Sequence, residues 1–361
     1  RDLGTTSRST LDYASPFAAE RYIEIYYNPD SFRKLTLNNT NIQEIPKVRL
    51  TGLTDFIFNN NGLVDFPDIN FFAPNLKILN LNNNNFFNAS NSAERKLNQN
   101  IADKLPTSLE NLNLRGCFSG GIEQGIFAKF QNLKTLNLQR SGGPYFYPDS
   151  LNSNGEIPNI SSNDQIITYN VSYNDFRSIG SAGSQEITIE TASKLVNLNL
   201  YDNLNLEKIG FQVNSTDIRS VNIGKTRLTY PDFQSRTSLE TFSAYQNRAD
   251  DSVYLNWDGS GTPPAGISDS SYKFINCSNL TSLNFYDSNI RGYIPKFIGN
   301  SSLTSIDLRG CEGLIAGRPG KADIKCLYED TFEEARNVSS FLLSANNTNF
   351  AGKIIRVILH T

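Results

Sequence analysis

The sequence is almost without histidine, cysteine and tryptophan, and these absences limit the chemistry that it can support. Its 361 residues include one His, four Cys, one Trp and no Met. His360 is next to the last residue, so a Ser-His-Asp triad or a histidine metal site would depend on it alone. The spacing of the cysteines fits no zinc site. The sequence therefore predicts no metal, no cofactor and no enzymatic activity.

Long apolar runs and an excess of one charge are also missing. No run approaches the ~18 apolar residues of a membrane helix, which argues against membrane insertion. A net charge of −3 and a pI of about 5.4 give no electrostatic footprint for nucleic acid. The 38% of hydrophobic residues are enough for a large core. Because the chain begins at Arg1 and has no Met, we expect the natural start to be missing, which allows a removed signal peptide.

Asparagine is the residue type in excess, with 45 residues, and much of it falls in a repeat. The segments LKILNLNNN, LENLNLRGC and LTSIDLRGC show the pattern, in which positions one, four and six are apolar. All 36 of these positions are apolar in twelve segments, too many for chance. Alternation over positions four to six predicts one short strand in each unit. The segments begin at Phe32, Leu53, Leu76, Leu109, Leu133, Ile166, Leu195, Ile218, Leu239, Leu280, Leu303 and Val338.

Position nine of the repeat holds only Asn, Cys, Ser or Thr. Such a side chain can bond to bare backbone groups of the turn that follows the strand, so we expect it to be buried and structural. The amides and thiols at this position are Asn61, Asn84, Cys117, Asn174, Asn203, Asn247, Cys311 and Asn346. The hydroxyls are Thr40, Ser141, Thr226 and Ser288.

The pattern resembles the leucine-rich repeat family, L-x-x-L-x-L-x-x-N/C-x-L, from about Phe32 to Phe350. The segment NIRGYIP (Asn289–Pro295) is similar to the plant-type x-G-x-I-P subtype, while irregular lengths and the lack of paired-cysteine caps look more like bacterial or viral members. The resemblance implies an α/β solenoid, a horseshoe of about twelve repeats with a parallel sheet on its concave face and an irregular or short-helical convex side. A parallel β-helix is the rival solenoid, but it needs several strands per turn where this pattern indicates one.

The array sets the domain organisation. We expect an N-terminal cap over 1–31, the repeats over 32–350 and a closing strand over 351–361. Three longer insertions fall at about 141–165, 248–279 and 315–337, and the single tryptophan, Trp257, lies in the second. An exposed Trp257 would be an interface candidate, and a packed one would only hold its own loop. In the returning limbs, Gly125–Asn132 and Asp330–Asn337 read as short helices.

Cysteines and glycosylation sequons leave two questions open. A bridge from Cys326 to Cys277 or to Cys311 is possible but has no support in the spacing. Ten N-x-S/T sequons occur where the composition predicts seven or eight, so they are weak evidence for secretion.

In the family that the sequence resembles, outward strand residues form the concave face, here positions three, five and seven. Asparagines at position five are either a structural ladder bonded along the sheet or a platform for a partner. Tyrosines and arginines at position seven suggest a strip for a protein loop or a sugar. The candidates are Asn80, Asn113, Asn137 and Asn199 at position five, and Arg115, Gln139, Tyr201, Tyr245, Tyr286 and Arg309 at position seven.

These features favour a non-enzymatic recognition module that binds a protein or a surface glycan, outside the cell or on a cell or virion surface. The alternative is a structural or adhesive component of a larger extracellular assembly or virion. A solenoid carbohydrate enzyme is a third reading, for which no carboxylate pair or phosphate loop gives support.

Overall fold

The computed structural model describes residues 28, 30–141, 156–160, 162–177, 188–189, 193–208, 212–249, 253–254, 273–294, 297–315 and 331–343. Two compact units divide the chain, Arg1–Phe176 and Arg177–Thr361. The expected caps lie outside the described residues, apart from 28, 30 and 31. So do most of the second and third insertions, together with Trp257, Cys326 and Asn346.

Each of the twelve repeats contributes one three-residue strand, and each unit has six of these strands side by side in a parallel arrangement. The strands of the first unit are Lys34–Thr36, Asp55–Ile57, Ile78–Asn80, Asn111–Asn113, Thr135–Asn137 and Thr168–Asn170. Those of the second unit are Asn197–Asn199, Ser220–Asn222, Thr241–Ser243, Ser282–Asn284, Ser305–Asp307 and Ser340–Leu342. Within each unit, equivalent repeat positions pair in register, for example Leu79 with Leu112 and Phe242 with Leu283.

The strands cover positions three to five, one residue earlier than the alternation predicts. Backbone bonding nevertheless continues beyond them, because the position-six N–H also donates to the next repeat, as from Leu81 N to Asn113 O at 3.0 Å. In repeats two to eleven, the side chains at positions one, four and six are all 2% exposed or less. The predicted apolar positions therefore form a continuous core within each unit.

Position nine holds the turn after each strand. Asn84 Nδ2 donates to Phe58 O and to Leu81 O, both at 2.8 Å, and its Oδ1 accepts from Leu63 N at 3.3 Å. In the same position, Cys117 Sγ lies 3.0 Å from Leu81 O. What the position needs is a buried donor for carbonyls of its own and the preceding repeat, which an amide, a hydroxyl or a thiol supplies.

Position eight is a left-handed backbone position, a feature that the sequence reading missed. The φ angle is positive at this position in repeats one to eleven, from +51° at Lys225 to +75° at Gly310. This conformation lets the position-eight N–H donate to the next repeat, as from Lys225 N to Tyr245 O at 2.7 Å. Seven of the eleven residues are Asn, Asp or Gly, the types that adopt it most readily, so the signal was present in the sequence.

The described returning limbs hold four short helices, all in the first unit. The α-helices are Ile69–Phe72 and Gln99–Asp103, and the 3₁₀ helices are Phe86–Asn88 and Ser92–Arg95. The helices predicted over Gly125–Asn132 and Asp330–Asn337 are wrong, because the described residues there form turns. Phe127 and Phe130 are buried, and successive tight turns rather than a helix direct them inward.

Returning limbs of the second unit also form small parallel sheets. The sequence pattern predicted only one strand in each repeat and did not predict these additional strands. Thr188–Ile189 pairs with Gln212–Val213, and Glu207–Lys208 pairs with Arg227–Leu228. A third sheet joins Val253–Tyr254, Ile290–Tyr293 and Gly313–Ile315. The NIRGYIP segment supplies the central strand of this third sheet.

Candidate functional site

The outward side chains of the strands form what we call the open face, positions three, five and seven of each repeat. Position four between them is buried, while positions three and five are half-buried in most repeats. In repeats seven to eleven this face has fifteen residues, of which twelve are Asn, Ser, Tyr or Gly. Its two charged residues, Asp307 and Arg309, bond to each other through Nε at 3.0 Å and a terminal nitrogen at 2.7 Å.

The asparagines at position five do not form the expected chain of amides bonded to one another. Each side-chain oxygen instead accepts the backbone N–H two residues later, as Asn199 does from Tyr201 at 3.1 Å and Asn284 from Tyr286 at 3.0 Å. This local bond forms in preference to a bond between the amides of neighbouring repeats, because it does not require the two repeats to be aligned. It fixes the backbone of position seven and leaves the amide nitrogen pointing away from that bond.

Three tyrosines at position seven of the second unit form a column. The rings of Tyr245 and Tyr286 are stacked, with centroids 5.3 Å apart and planes at 10°. The ring of Tyr201 is tilted against that of Tyr245, with centroids 6.4 Å apart. The structure thus brings together the three tyrosines that the sequence singled out, and all three remain partly exposed.

Gly224 allows the column to close, and the sequence reading passed over it. It occupies position seven of repeat eight, between the repeats of Tyr201 and Tyr245. A Cβ atom there would lie 2.8 Å from Tyr245 O and 2.9 Å from Tyr201 Cδ2. Without that atom, the Tyr201 ring can lean across a whole repeat to reach Tyr245. A lone glycine among larger side chains at position seven was the sequence signal.

A cation lies over each end of the column. The Arg309 guanidinium carbon is 5.1 Å from the centroid of Tyr286, and Lys225 Nζ is 5.5 Å from that of Tyr201. A hydrogen bond with Tyr201 is the main cause that raises the pKa of Lys225. Asp307 likewise raises the pKa of Arg309, through its hydrogen bonds. Lys225 was not among the predicted residues, because the binding candidates on the strands came from positions five and seven.

The remaining candidates belong to the first unit. Asn80, Asn113 and Asn137 make the same local bond as Asn199, to the N–H two residues later, at 3.1–3.2 Å. Arg115 and Gln139 follow at position seven and are half-buried. The structure shows no aromatic contact to either within the part that it describes. The predicted strip is therefore an aromatic column in the second unit and a purely polar row in the first.

The position-nine residues serve the backbone rather than the open face. Asn61, Asn174, Asn203 and Asn247 are 8% exposed or less. The amides of the first three donate to carbonyls that directly follow a strand, and that of Asn247 donates to Leu228 O in a returning limb at 3.1 Å. Cys117, Cys277 and Cys311 are buried free thiols. Burial raises the pKa of each of them to about 12, so they are poor nucleophiles.

Among the described residues, no cluster of three His, Cys, Asp or Glu side chains could hold a metal ion. No helix in the described part has the length and apolar character to cross a membrane.

Comparisons with solved structures identify a shared fold. The Toll–Spatzle complex of Drosophila matches with a TM-score of 0.51 and 16% identity, over 84% of this chain and 39% of that chain. An internalin, inlF of Listeria monocytogenes, matches with a TM-score of 0.49 and 15% identity, over 92% of this chain and 88% of that one. The TLR13–ssRNA13 complex matches with a TM-score of 0.44 and 18% identity, over 78% and 40% of the two chains.

The match thus spans less than half of the Toll and TLR13 chains. No protein-family model and no curated protein matches the sequence. Identities this low speak for the fold alone, and the predicted repeat fold with its parallel sheet is confirmed. The bacterial or viral origin and the exclusion of nucleic acid stay predictions.

Proposed function

We propose that this leucine-rich-repeat protein is a non-enzymatic binding module whose open face in repeats seven to eleven holds a protein or a surface glycan. The observation that carries the proposal is the column of Tyr201, Tyr245 and Tyr286 beside asparagines and serines. Tyr, Ser, Gly and Asn are the types that dominate antibody-combining surfaces, where Tyr gives large contact area at low entropic cost. The fold is compatible with partner binding, since the Toll structure is a complex with Spatzle.

The column is suited to contact because it is held in place before any partner arrives. Tyr245 and Tyr286 are stacked, and the local bonds from Asn199 and Asn284 fix the backbone of Tyr201 and Tyr286. A preorganised surface loses little side-chain entropy on binding, and this smaller entropy cost raises the affinity.

The test replaces Tyr201, Tyr245 and Tyr286 with alanine and measures capture of partners from a source extract on the immobilised chain. We expect the amount captured to fall at least about tenfold, as when a binding hot spot is removed. Phe71, which is 50% exposed on the helix Ile69–Phe72, provides the matched control as Phe71→Ala. Equal capture by the wild type and the triple variant would place binding elsewhere.

A location outside the cell or on a cell or virion surface is part of the same proposal. Its support is the exposure of sequon asparagines in the returning limbs, among them Asn88 and Asn214, away from the open face. Mass spectrometry of the protein from its source tests it, because a glycan on either residue requires passage through a glycosylating compartment. Unmodified asparagines at every sequon would remove that support.

A further inference from the structure

The open face of repeats seven to eleven repeats its chemistry from strand to strand. Position three carries Ser220, Thr241, Ser282 and Ser305 in four successive repeats, and position five carries Asn199, Asn222, Ser243 and Asn284. Neighbouring strands are ~4.8 Å apart, so a hydroxyl row and an amide row run side by side with that period. The surface of a globular protein that has no repeats lacks such a translational repeat, whereas a linear polysaccharide has one.

The amide row is a row of donors. In Asn199, Asn222 and Asn284 the side-chain oxygen is taken by the backbone N–H of position seven, at 3.0–3.1 Å. The described residues supply no acceptor for the three amide nitrogens. Each can therefore give N–H bonds to a ligand, and sugar hydroxyl and acetal oxygens are neutral acceptors of this kind.

Charge on this face favours a neutral ligand. The one acidic and one basic side chain neutralise each other, since Asp307 and Arg309 are held together by two hydrogen bonds. Neither of them is left to attract a phosphate, a sulfate or a uronic acid. Lys225, at position eight beside the face, is held over the ring of Tyr201 and bonds to that side chain.

The tyrosines would contribute hydroxyls and ring edges rather than ring faces. Tyr286 has Tyr245 on one side and the Arg309 guanidinium on the other, and Tyr201 is covered by Lys225 and Tyr245. Recognition then rests on hydrogen bonds repeated along the sheet. Each bond is weak in water, and affinity comes from their number.

We infer that the open face of repeats seven to eleven binds a linear, uncharged polysaccharide that runs across the strands, from one repeat to the next. This inference rests on the proposed function and narrows its partner to one class. About one sugar residue meets each repeat, so that successive residues meet equivalent donors.

The experiment titrates the chain, by calorimetry, with cellulose, chitin and mannan oligosaccharides of two, four and six residues. For at least one series we expect affinity to rise at least about tenfold from the disaccharide to the hexasaccharide. The affinity should change less than about twofold between 50 and 500 mM NaCl, because no ion pair forms. A heparin hexasaccharide and a hexagalacturonate are the charged probes.

The decisive variant is N222D/N284D. Aspartate keeps the acceptor oxygen that the position-seven N–H needs, as Asp307 already does for Arg309 N at 3.1 Å, but it removes the amide donors. Binding of the neutral hexasaccharide should fall at least about tenfold, while N279D, an exposed asparagine of a returning limb, should bind as the wild type.

Three outcomes would overturn the inference. They are no binding by any neutral hexasaccharide, binding only of the charged probes, and full binding by N222D/N284D. If one of these occurs while a captured protein still depends on the three tyrosines, a protein is the partner and the proposed function stands. If capture is also independent of the tyrosines, both proposals fail.

Discussion

Replacing Asn84 with alanine tests whether position nine holds the fold. The change removes two donated bonds of 2.8 Å and one accepted bond of 3.3 Å from a side chain that is 1% exposed. Phe58 O and Leu63 N would lose this partner in a dry interior, whereas Leu81 O keeps a contact with Cys117 Sγ. At about 1–3 kcal/mol for each buried group left unpaired, and with some relaxation, N84A should lower the free energy of unfolding by about 2–4 kcal/mol.

The assay is urea unfolding followed by circular dichroism, with the m-value compared between variants. Asn82→Ala is the matched control, because Asn82 lies two residues away and its side chain donates and accepts no hydrogen bond in the described part of the chain. It should change stability by less than about 0.5 kcal/mol. Asn84→Cys should recover part of the loss, as Cys117 fills the same position naturally. Equal stability of N84A and N82A would refute the role of position nine.

Three further outcomes are expected. Cys117 should react with iodoacetamide at pH 8 only as fast as the protein unfolds, since it is buried with a pKa raised to about 12; rapid native labelling would contradict this. Gly224→Ala should cost about 1–3 kcal/mol and change the near-ultraviolet tyrosine dichroism, whereas Gly62→Ala should do neither, because its tightest contact is with the flexible Gln43 side chain at 3.1 Å. Two lysines lower the pKa of Glu110, so its contribution is present above pH 4.5 and is lost as pH falls through the lowered value. Glu110→Gln should therefore flatten the pH dependence of stability there. An unchanged profile would count against a stabilising role for the ion pairs of Glu110 with Lys77 at 3.0 Å and Lys134 at 2.6 Å.

Sequence alone predicted the parts of the fold that recur in every repeat. Leu79, Leu112 and Phe242 could be placed in the core because an apolar residue occurs at the same position in all twelve repeats. Position nine could be read for the same reason, since only side chains that donate to a carbonyl fit there. Repetition turns a weak local preference into a strong pattern.

The column of tyrosines could be predicted only in part. Its members were visible at position seven. Contact between Tyr201 and Tyr245, which lie two repeats apart, depends in addition on the lack of a side chain at Gly224 and on the tilt of the Tyr201 ring. The bond of Asn199 to the N–H of Tyr201 was also missed, because a local bond and a bond between repeats require the same residue type. Differences of a few tenths of an ångström decide which hydrogen bond an asparagine makes and whether two rings touch. Such distances cannot be read from the sequence.

The bonding of Asn61 also bears on how the protein ages. Asn61 precedes Gly62, and asparagine before glycine is the dipeptide most prone to deamidation, in which the glycine nitrogen attacks the side-chain carbon. Here Asn61 Nδ2 is bound to Leu37 O at 2.7 Å, its Oδ1 accepts from Thr40 N at 2.9 Å, and Gly62 N donates to Ile42 O at 3.1 Å. Hydrogen bonds therefore fix both Gly62 N, which would attack, and the Asn61 amide that it would attack. In a chain with 45 asparagines, the repeat that orders the backbone also shields this one from spontaneous chemical change.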